Sequence, residues 1–341
     1  MAPKEFHTNQ GDIAMSNTLV RKLALPVAAL ALSALPFYSG ATSFPDKDRP
    51  IRLIVPFTAG SSFDAGARAY AQAMSENLGA NVIVENRPGA DGVIGVTAAK
   101  NAAPDGYTIL FTSLSTQVVN PHIFKKLAYD PIGDFTPLMG TMKTTLVMAV
   151  GPSFPQGTGA DFLESAKQNP GKHTYASYTA TTKMAGQMVA KAAGADYLNI
   201  PYKSLNDAMS NMIGGLVDMI AADMPSIQPF FSRGVRPLAV LAPQRLSSYP
   251  DIPTLAELGY EGVDIAGWFA AYVPTGTPAD VAQKLTESIR QAAQSTPVRS
   301  FVTTFGIETF ALEGQALVDY QNAELQKWGT AVKDAGLYGT L

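Results

Sequence analysis

Hydrophobic and polar positions follow two alternating patterns downstream of residue 44. Short apolar runs typical of buried strands are each followed by a stretch with apolar residues at helical spacing. This first series predicts strands at 51–55, 81–85 and 107–111, with helices at 62–78 and 92–102. Because strands that alternate with helices form parallel sheets covered by helices, the series predicts an α/β domain.

The same alternation restarts near Thr145. It predicts strands at 146–150, 174–177, 197–200, 217–221 and 237–241, and helices at 159–168, 182–193, 206–213 and 225–231. The tail is helical at 278–294 and 314–335 and has too few strands for a third domain, so we expect it to cover the first. The predicted domains are therefore 44–144 with 265–341, and 145–264, around a ligand cleft at the carboxyl ends of their strands.

The amino terminus has the pattern of an export signal. Arg21 and Lys22 precede an apolar run at 23–35, and small residues at 39–41 suit cleavage near Ala41. Residues 1–14, polar and ahead of Met15, are interpreted as an upstream extension, so 1–41 lies outside the predicted fold. No later run is long enough to span a bilayer, and we expect no direct membrane insertion.

Composition excludes several classes of function. The formal net charge is −3, so no broad basic face favours nucleic acid, and small ligands or proteins remain as partners. The chain has no cysteine and three histidines, which excludes disulfides, thiolate nucleophiles and cysteine-type zinc sites. We expect neither a metal nor a cofactor.

The loop after the first strand carries the first candidate chemistry. Ser61 stands where a helix N-cap belongs, with Asp64 three residues on, and Thr58 to Gly60 add small residues ahead of it. A helix start without bulky neighbours presents unpaired N–H groups and the positive end of the helix dipole, which suits an anion. A plain capped turn and a carboxylate-binding turn both remain open for this loop.

Two further loops repeat the construction, at 112–117 and 176–183. Each alone is compatible with an ordinary solvated turn, since serine and threonine are common turn residues. Their shared position at the carboxyl ends of strands favours a binding site. Lys203 and Asp223 also end predicted strands, where they are either cleft residues or solvated charges.

The remaining motifs do not predict catalysis. Gly89, Gly92 and Gly95 have a spacing that differs from nucleotide-binding loops, and we interpret them as a tight strand-to-helix turn. Hydrolase and metalloprotease motifs are missing, and His122 and His173 are predicted in surface loops. We therefore do not predict an enzyme.

Three blocks of the chain resemble a known family. They read "VPFTAGSSFDAGARA", "VENRPGADGVIGVTAAKNAAPDGYT" and "WFAAYVPTGTPADVAQKL". They are similar to the Bug receptors, the extracytoplasmic solute-binding components of tripartite tricarboxylate transporters. The resemblance implies a periplasmic binding protein (Venus flytrap) fold, with two doubly wound α/β domains around a cleft. It further implies a monomer in the periplasm that binds a small carboxylate and delivers it to membrane transporter subunits.

The resemblance also implies which residues bind the ligand. They are Phe57, Thr58, Ala59, Gly60, Ser61, Ser62, Phe63 and Asp64 in the first loop, Ser113, Ser115 and Thr116 in the second, and Ser177, Tyr178, Thr179, Thr181 and Thr182 in the facing domain, with Lys203 and Asp223 nearby.

The chain departs from the family at two places. It has Ser61 where a glycine is usual, and the loop after Ser177 has no histidine. Phe63 and Tyr178 favour an aromatic or longer dicarboxylate, with terephthalate-like diacids as the leading expectation. A secreted hydrolase or lyase, motivated by the clustered Ser, Thr and Lys, and a chemosensory ligand-presenting protein are the alternatives.

Overall fold

A computed structural model describes residues 44–154 and 156–341. The predicted upstream extension, export signal and cleavage near Ala41 lie outside the described residues. The strands are β1 Ile51–Val55, β2 Val82–Asn86, β3 Thr108–Ser113, β4 Phe135–Val150, β5 His173–Ser177, β6 Tyr197–Pro201, β7 Met219–Asp223, β8 Arg236–Val240, β9 Ala266–Pro274 and β10 Glu308–Thr309.

The helices follow the strands in the predicted alternation. They are α1 Ser62–Leu78, α2 Val93–Lys100, α3 Asn120–Ile123, α4 Gly159–Gln168, α5 Ala180–Ala193, α6 Leu205–Ile213, α7 Met224–Ile227, α8 Ala279–Ala293, α9 Thr296–Phe305 and α10 Gly314–Asp334. Short 3-10 turns at Ala90–Gly92 and Gln228–Arg233 and a π-type turn at Ser115–Val119 complete the pattern. No helix in the described part of the chain is long and apolar enough to cross a bilayer.

The strands form two α/β layers joined through β4. In the first, the order is β2, β1, β3, β9 and β4, with β10 also on β4; in the second, β4 is followed by β7, β5 and β6, with β8 also on β4. Strands β1, β2 and β3 are parallel to one another, as are β5, β6 and β7, whereas β4 and β9 run antiparallel to their neighbours. The sheets are therefore mixed rather than wholly parallel.

Both faces of each layer are buried. In β1, Ile51, Leu53 and Val55 pack into one core and Ile54 into another, as the two-residue period of a strand requires. In β4, Val147 and Met148 likewise point into different cores. This double covering is the doubly wound α/β arrangement that the sequence predicts, with mixed rather than parallel strands at the centre.

The long strand β4 and the strand β9 differ from the prediction. Only residues 146–150 of β4 were expected as strand, and β9 was not expected at all. Nearly every residue of β9 is buried, so it lacks the alternation that marks a half-exposed strand. Helix α9 was also not predicted.

The pairing of β4 changes at one point. Thr145 is the last residue of β4 that pairs with β9, opposite Ala266. Leu146 is the first residue that pairs with β7, opposite Asp223. This change lies beside the predicted boundaries at 144/145 and 264/265. The domain boundaries themselves stay a prediction.

Candidate functional site

A cavity of about 720 Å³ lies where strand ends of the two layers face each other. The first layer contributes the segments after β1, β2 and β3 and the start of β9. The second contributes those after β5, β6 and β7. Its wall consists of Pro56, Phe57, Thr58, Ser61, Ser62, Phe63, Pro88, Gly89, Ala90, Asp91, Gly92, Ser113, Leu114, Ser115, Thr144, Leu146, Tyr178, Thr179, Thr181, Thr182, Pro201, Tyr202, Lys203, Ser204, Leu205, Asp223, Gly267 and Phe269.

Thirteen of the eighteen predicted site residues line this wall, and five do not. Those outside it are Ala59, Gly60, Asp64, Thr116 and Ser177. Their predicted contact with a ligand is therefore not supported by the shape of the cavity.

The first loop caps helix α1. The Ser61 hydroxyl accepts a hydrogen bond from the Asp64 backbone N–H at 3.2 Å, and an Asp64 carboxylate oxygen accepts one from the Gly60 N–H at 3.1 Å. Arg68 and Asn86 also donate to this carboxylate. Burial raises the pKa of Asp64, but the hydrogen bonds from Arg68, Gly60 and Asn86 outweigh it and hold the pKa below its ordinary value. Asp64 is thus fully used in shaping the loop.

The second loop holds a buried hydroxyl without a hydrogen-bond partner in the part of the chain that the structure describes. Thr116 is completely buried and its hydroxyl pairs with that of Thr112 at 2.6 Å, which accounts for its place outside the cavity. Ser115, at the start of the π-type turn, lines the cavity and is 2% exposed. Its Oγ has no hydrogen-bond partner among the described residues.

The third loop, in the facing layer, repeats this arrangement. Thr179 caps helix α5 through a capping box with Thr182. Between them, Thr181 lines the cavity at 7% exposure, and its Oγ1 has no partner in the described ranges. Ser177 lies just before this loop, and its carbonyl accepts a hydrogen bond from the Tyr202 N–H at 2.7 Å.

A hydrogen-bonded chain joins the two layers across the cavity. The Ser62 hydroxyl, on α1, donates to Asp223 Oδ2 at 2.6 Å, and the Ser226 hydroxyl donates to Ser62 Oγ at 3.1 Å. The Ser226 N–H donates to Asp223 Oδ1 at 3.0 Å, so Asp223 also caps α7. Burial raises the pKa of Asp223 above its ordinary value, partly opposed by these hydrogen bonds. Ser226 was not among the predicted site residues.

The two aromatic residues expected at the site are both in the wall. Phe63 packs against Phe57 and Phe269 with ring centroids 5.0 Å and 4.6 Å apart, and it is 5% exposed. Tyr178 packs on the core of the second layer, and burial, then the nearby Asp223 charge, raises its pKa. Each ring is therefore part of a core and borders the cavity at the same time.

The turn at Ala90–Gly92 is the main site element that sequence reasoning missed. It is a tight turn, as expected: a side chain at Gly95 would meet the Arg87 carbonyl oxygen at 2.6 Å. Ala90 and Asp91 have positive φ values of 46° and 51°, which non-glycine residues rarely adopt. Because Pro88 follows strand β2, this turn lies at the carboxyl end of that strand. That position was the signal in the sequence that the turn faces the cleft.

Several other wall residues had no usable signal in the sequence. Thr144 lies in the part of β4, and Gly267 and Phe269 in the strand β9, that were not predicted, whereas Leu146 begins the predicted strand 146–150. Pro201, Tyr202, Ser204 and Leu205 surround Lys203 after β6, and they carry no distinctive chemistry.

Histidine does not contribute to the cavity wall in the described residues. Neither His122 nor His173 lines it. His122 lies in α3 rather than in a surface loop, with Nε2 2.8 Å from the Leu325 carbonyl oxygen. Within the described ranges, no group of His, Cys, Asp or Glu could hold a metal ion.

Two facing α/β layers and a hydroxyl-rich cavity between them define a solute-binding protein of the periplasmic type. Residues 66–337 match the family model described as tripartite tricarboxylate transporter family receptor. The chain belongs to this family, as its resemblance to the Bug receptors predicted. The family consists of receptors, so the protein is a binding protein and not an enzyme.

Known relatives agree along nearly the whole chain. Protein BugT of Bordetella pertussis is 30% identical over 330 residues, which cover 93% of this chain and 98% of BugT. The periplasmic binding protein BugD superposes with a TM-score of 0.81 at 30% identity, covering 85% of this chain and 99% of BugD.

Two related structures contain small acids. The R. palustris protein Rpa4515 with adipate has a TM-score of 0.82 at 27% identity, covering 86% of this chain and 98% of that chain. MatC from Rhodopseudomonas palustris, with bound malate, has a TM-score of 0.77 at 25% identity, covering 83% of this chain and 99% of MatC.

Proposed function

We propose that this protein captures a small dicarboxylate in the cavity and delivers it to the membrane subunits of a tripartite tricarboxylate transporter. The observation that carries the proposal is a pair of buried hydroxyls, Ser115 Oγ and Thr181 Oγ1, without partners in the described residues. They lie on opposite layers, each at the start of a helical segment.

A buried hydroxyl without a partner is destabilising by about 1–3 kcal/mol. A carboxylate oxygen beside each hydroxyl would accept its hydrogen bond and so remove this penalty. The N–H groups at the start of α5 and of the π-type turn add further donors and a favourable dipole. The two hydroxyls lie on different layers of the cavity wall, and the ligands of the two related structures are dicarboxylates, which together favour a ligand with two carboxylates.

The energetics of such binding need no arginine. A micromolar receptor requires about 8 kcal/mol, and a hydrogen bond to a charged group contributes about 1.5–3 kcal/mol before ordering penalties. Several bonds at each end are enough. Exclusion of water from the cavity strengthens each of them.

The apolar part of the cavity wall supports an apolar spacer between the two carboxylates. Phe63 and Phe269 lie on one layer and Tyr178 and Leu146 border the other. Flat or extended apolar groups pack well on such rings. An aromatic or longer diacid such as terephthalate fits this wall, and adipate and malate in the two related structures are likewise dicarboxylates.

Family membership supports the other parts of the proposal. A transporter receptor works outside the cytoplasm and passes its ligand to membrane subunits, so we infer a periplasmic location after export. We propose a monomer without cofactor, with domains 44–144 plus 265–341 and 145–264. The proposed ligand contacts are the thirteen predicted residues in the wall.

Thr181→Val tests the ligand contact most sharply, because it removes the hydroxyl and keeps the shape of the side chain. Thr97→Val is the matched control, since Thr97 Oγ1 is also buried without a partner among the described residues but lies on α2, outside the cavity. We expect Thr181→Val to weaken binding of terephthalate or adipate about tenfold or more in calorimetry, with Thr97→Val unchanged. Equal affinity of the two variants would contradict the contact.

A further inference from the structure

Asp223 is a carboxylic acid in the wall of a cavity proposed to bind carboxylates. It ends strand β7, is 7% exposed, and accepts hydrogen bonds from the Ser62 hydroxyl and the Ser226 N–H, with the Ser226 hydroxyl also close to its carboxyl group. Both donors are neutral. No lysine or arginine in the described ranges forms a salt bridge with it.

Few charges surround Asp223. Strands β4 and β9 contribute only uncharged side chains to the cavity, and the start of α7 contributes Ser226 to Asp223. At the start of α1, Asp64 is neutralised by Arg68. The titratable side chains that line the cavity with Asp223 are Asp91, Tyr178, Tyr202 and Lys203, and Lys183 lies near Asp91.

The side chains in the wall therefore include two acids and one cation. A dicarboxylate would add two negative charges to this set, beside an Asp223 carboxyl that is itself only 7% exposed. Like charges that share such a site are not all ionised at once, because one of them retains or takes up a proton. Asp223 is better placed than Asp91 to accept this proton. It is more deeply buried, and no lysine or arginine in the described ranges pairs with it. Its burial already favours the neutral form.

We propose that Asp223 takes up one proton from solvent when the dicarboxylate binds. This inference rests on the dicarboxylate function proposed above. A protonated Asp223 donates its new O–H to Ser62 Oγ, which reverses the direction of that hydrogen bond. The Ser62 hydroxyl hydrogen is then free to be donated to a ligand carboxylate, while Ser226 keeps its bond to Ser62 Oγ.

Proton uptake makes affinity depend on pH with a definite sign. Below the pKa of Asp223 in the free protein, the acid is already neutral and affinity is constant. Above it, each ligand must bring one proton from solvent, so the dissociation constant rises about tenfold per pH unit. Above about pH 6.5 the ligand carboxylates are ionised throughout and do not contribute to this slope.

Calorimetry measures the proton number directly. Terephthalate and adipate are titrated into the protein between about pH 6.5 and 9, in two buffers that differ in ionisation enthalpy. Asp223→Asn keeps the side-chain shape and remains a good N-cap for α7. Asp91→Asn is the matched control, because it removes the other acid of the same wall.

We expect uptake approaching one proton per ligand at the upper end of this range for the wild type and Asp91→Asn, and none for Asp223→Asn, whose affinity should not vary with pH. Ser62→Ala gives a second readout, because loss of its donor moves the rise in dissociation constant to higher pH. Binding without proton uptake by the wild type, or undiminished uptake by Asp223→Asn, would overturn the inference and leave the dicarboxylate function intact. No binding of either acid would overturn both.

Discussion

Ser61, Asp64 and Gly60 illustrate how residues of one loop divide between structure and function. Asp64 and Gly60 shape the start of α1 through their mutual hydrogen bond, and Ser61 and Ser62 then line the cavity. Sequence reasoning found the capping pair, because caps have a local signature. It could not tell which of the neighbouring residues face the ligand, since that depends on how the loop turns.

Gly95 lies where the surrounding backbone is too close to leave room for a side chain. A Cβ there would lie 2.6 Å from the Arg87 carbonyl oxygen and 2.7 Å from Pro56 Cα, both backbone atoms. We expect Gly95→Ala to lower the free energy of unfolding by about 1–3 kcal/mol in urea denaturation.

Gly214 provides the matched control for this prediction. It has a φ of −75°, and a Cβ would meet only ordinary contacts beginning at 3.4 Å. Gly214→Ala should leave stability within about 0.5 kcal/mol of the wild type. Similar stability losses in the two variants would contradict the close packing inferred at Gly95.

At the scale of elements, the parallel strands with their helices could be predicted, and the crossing strands could not. The segment from β1 to β3 matched within one or two residues, because each apolar run is short and followed by a helical pattern. Strand β9 and the first part of β4 are buried on both faces. A run of this kind has no alternation, so its position becomes clear only from its pairing partners.

The helix caps make a prediction at this scale. Thr158 and Thr179 cap α4 and α5 with the same capping box, but only Thr179 lines the cavity. Replacement of either by alanine should lower the free energy of unfolding by about 0.5–2 kcal/mol. Only Thr179→Ala should also weaken ligand binding, as measured by calorimetry. Weaker binding in Thr158→Ala would indicate that the effect is general destabilisation.

At the scale of the molecule, the cavity depends on contributions from both layers. The chain crosses from one layer to the other at Thr145 and Leu146 of β4. A second crossing lies at Ile265, whose backbone forms hydrogen bonds with Leu146 and Leu241. Side-chain contacts around the cavity, such as the Ser62–Asp223 hydrogen bond, also join the layers. Motion about the two backbone crossings would be the hinge closure typical of two-domain binding proteins.

Ligand binding should accordingly make the protein more compact. A diacid that contacts both layers stabilises the arrangement in which they face each other, so we expect a smaller radius of gyration in X-ray scattering with saturating ligand. Thr181→Val at the same ligand concentration should be less compact on average. Superimposable scattering profiles of the free and saturated wild type would contradict closure.

Calorimetry with matched acids measures whether the cavity binds a carboxylate at each end of its ligand. Terephthalate is compared with benzoate, and adipate with hexanoate, so that each pair shares its spacer and differs in one carboxylate. Loss of several charge-assisted hydrogen bonds should weaken binding of the monoacid at least tenfold. Equal affinity within each pair would contradict the two-ended site and leave a receptor for a single carboxylate.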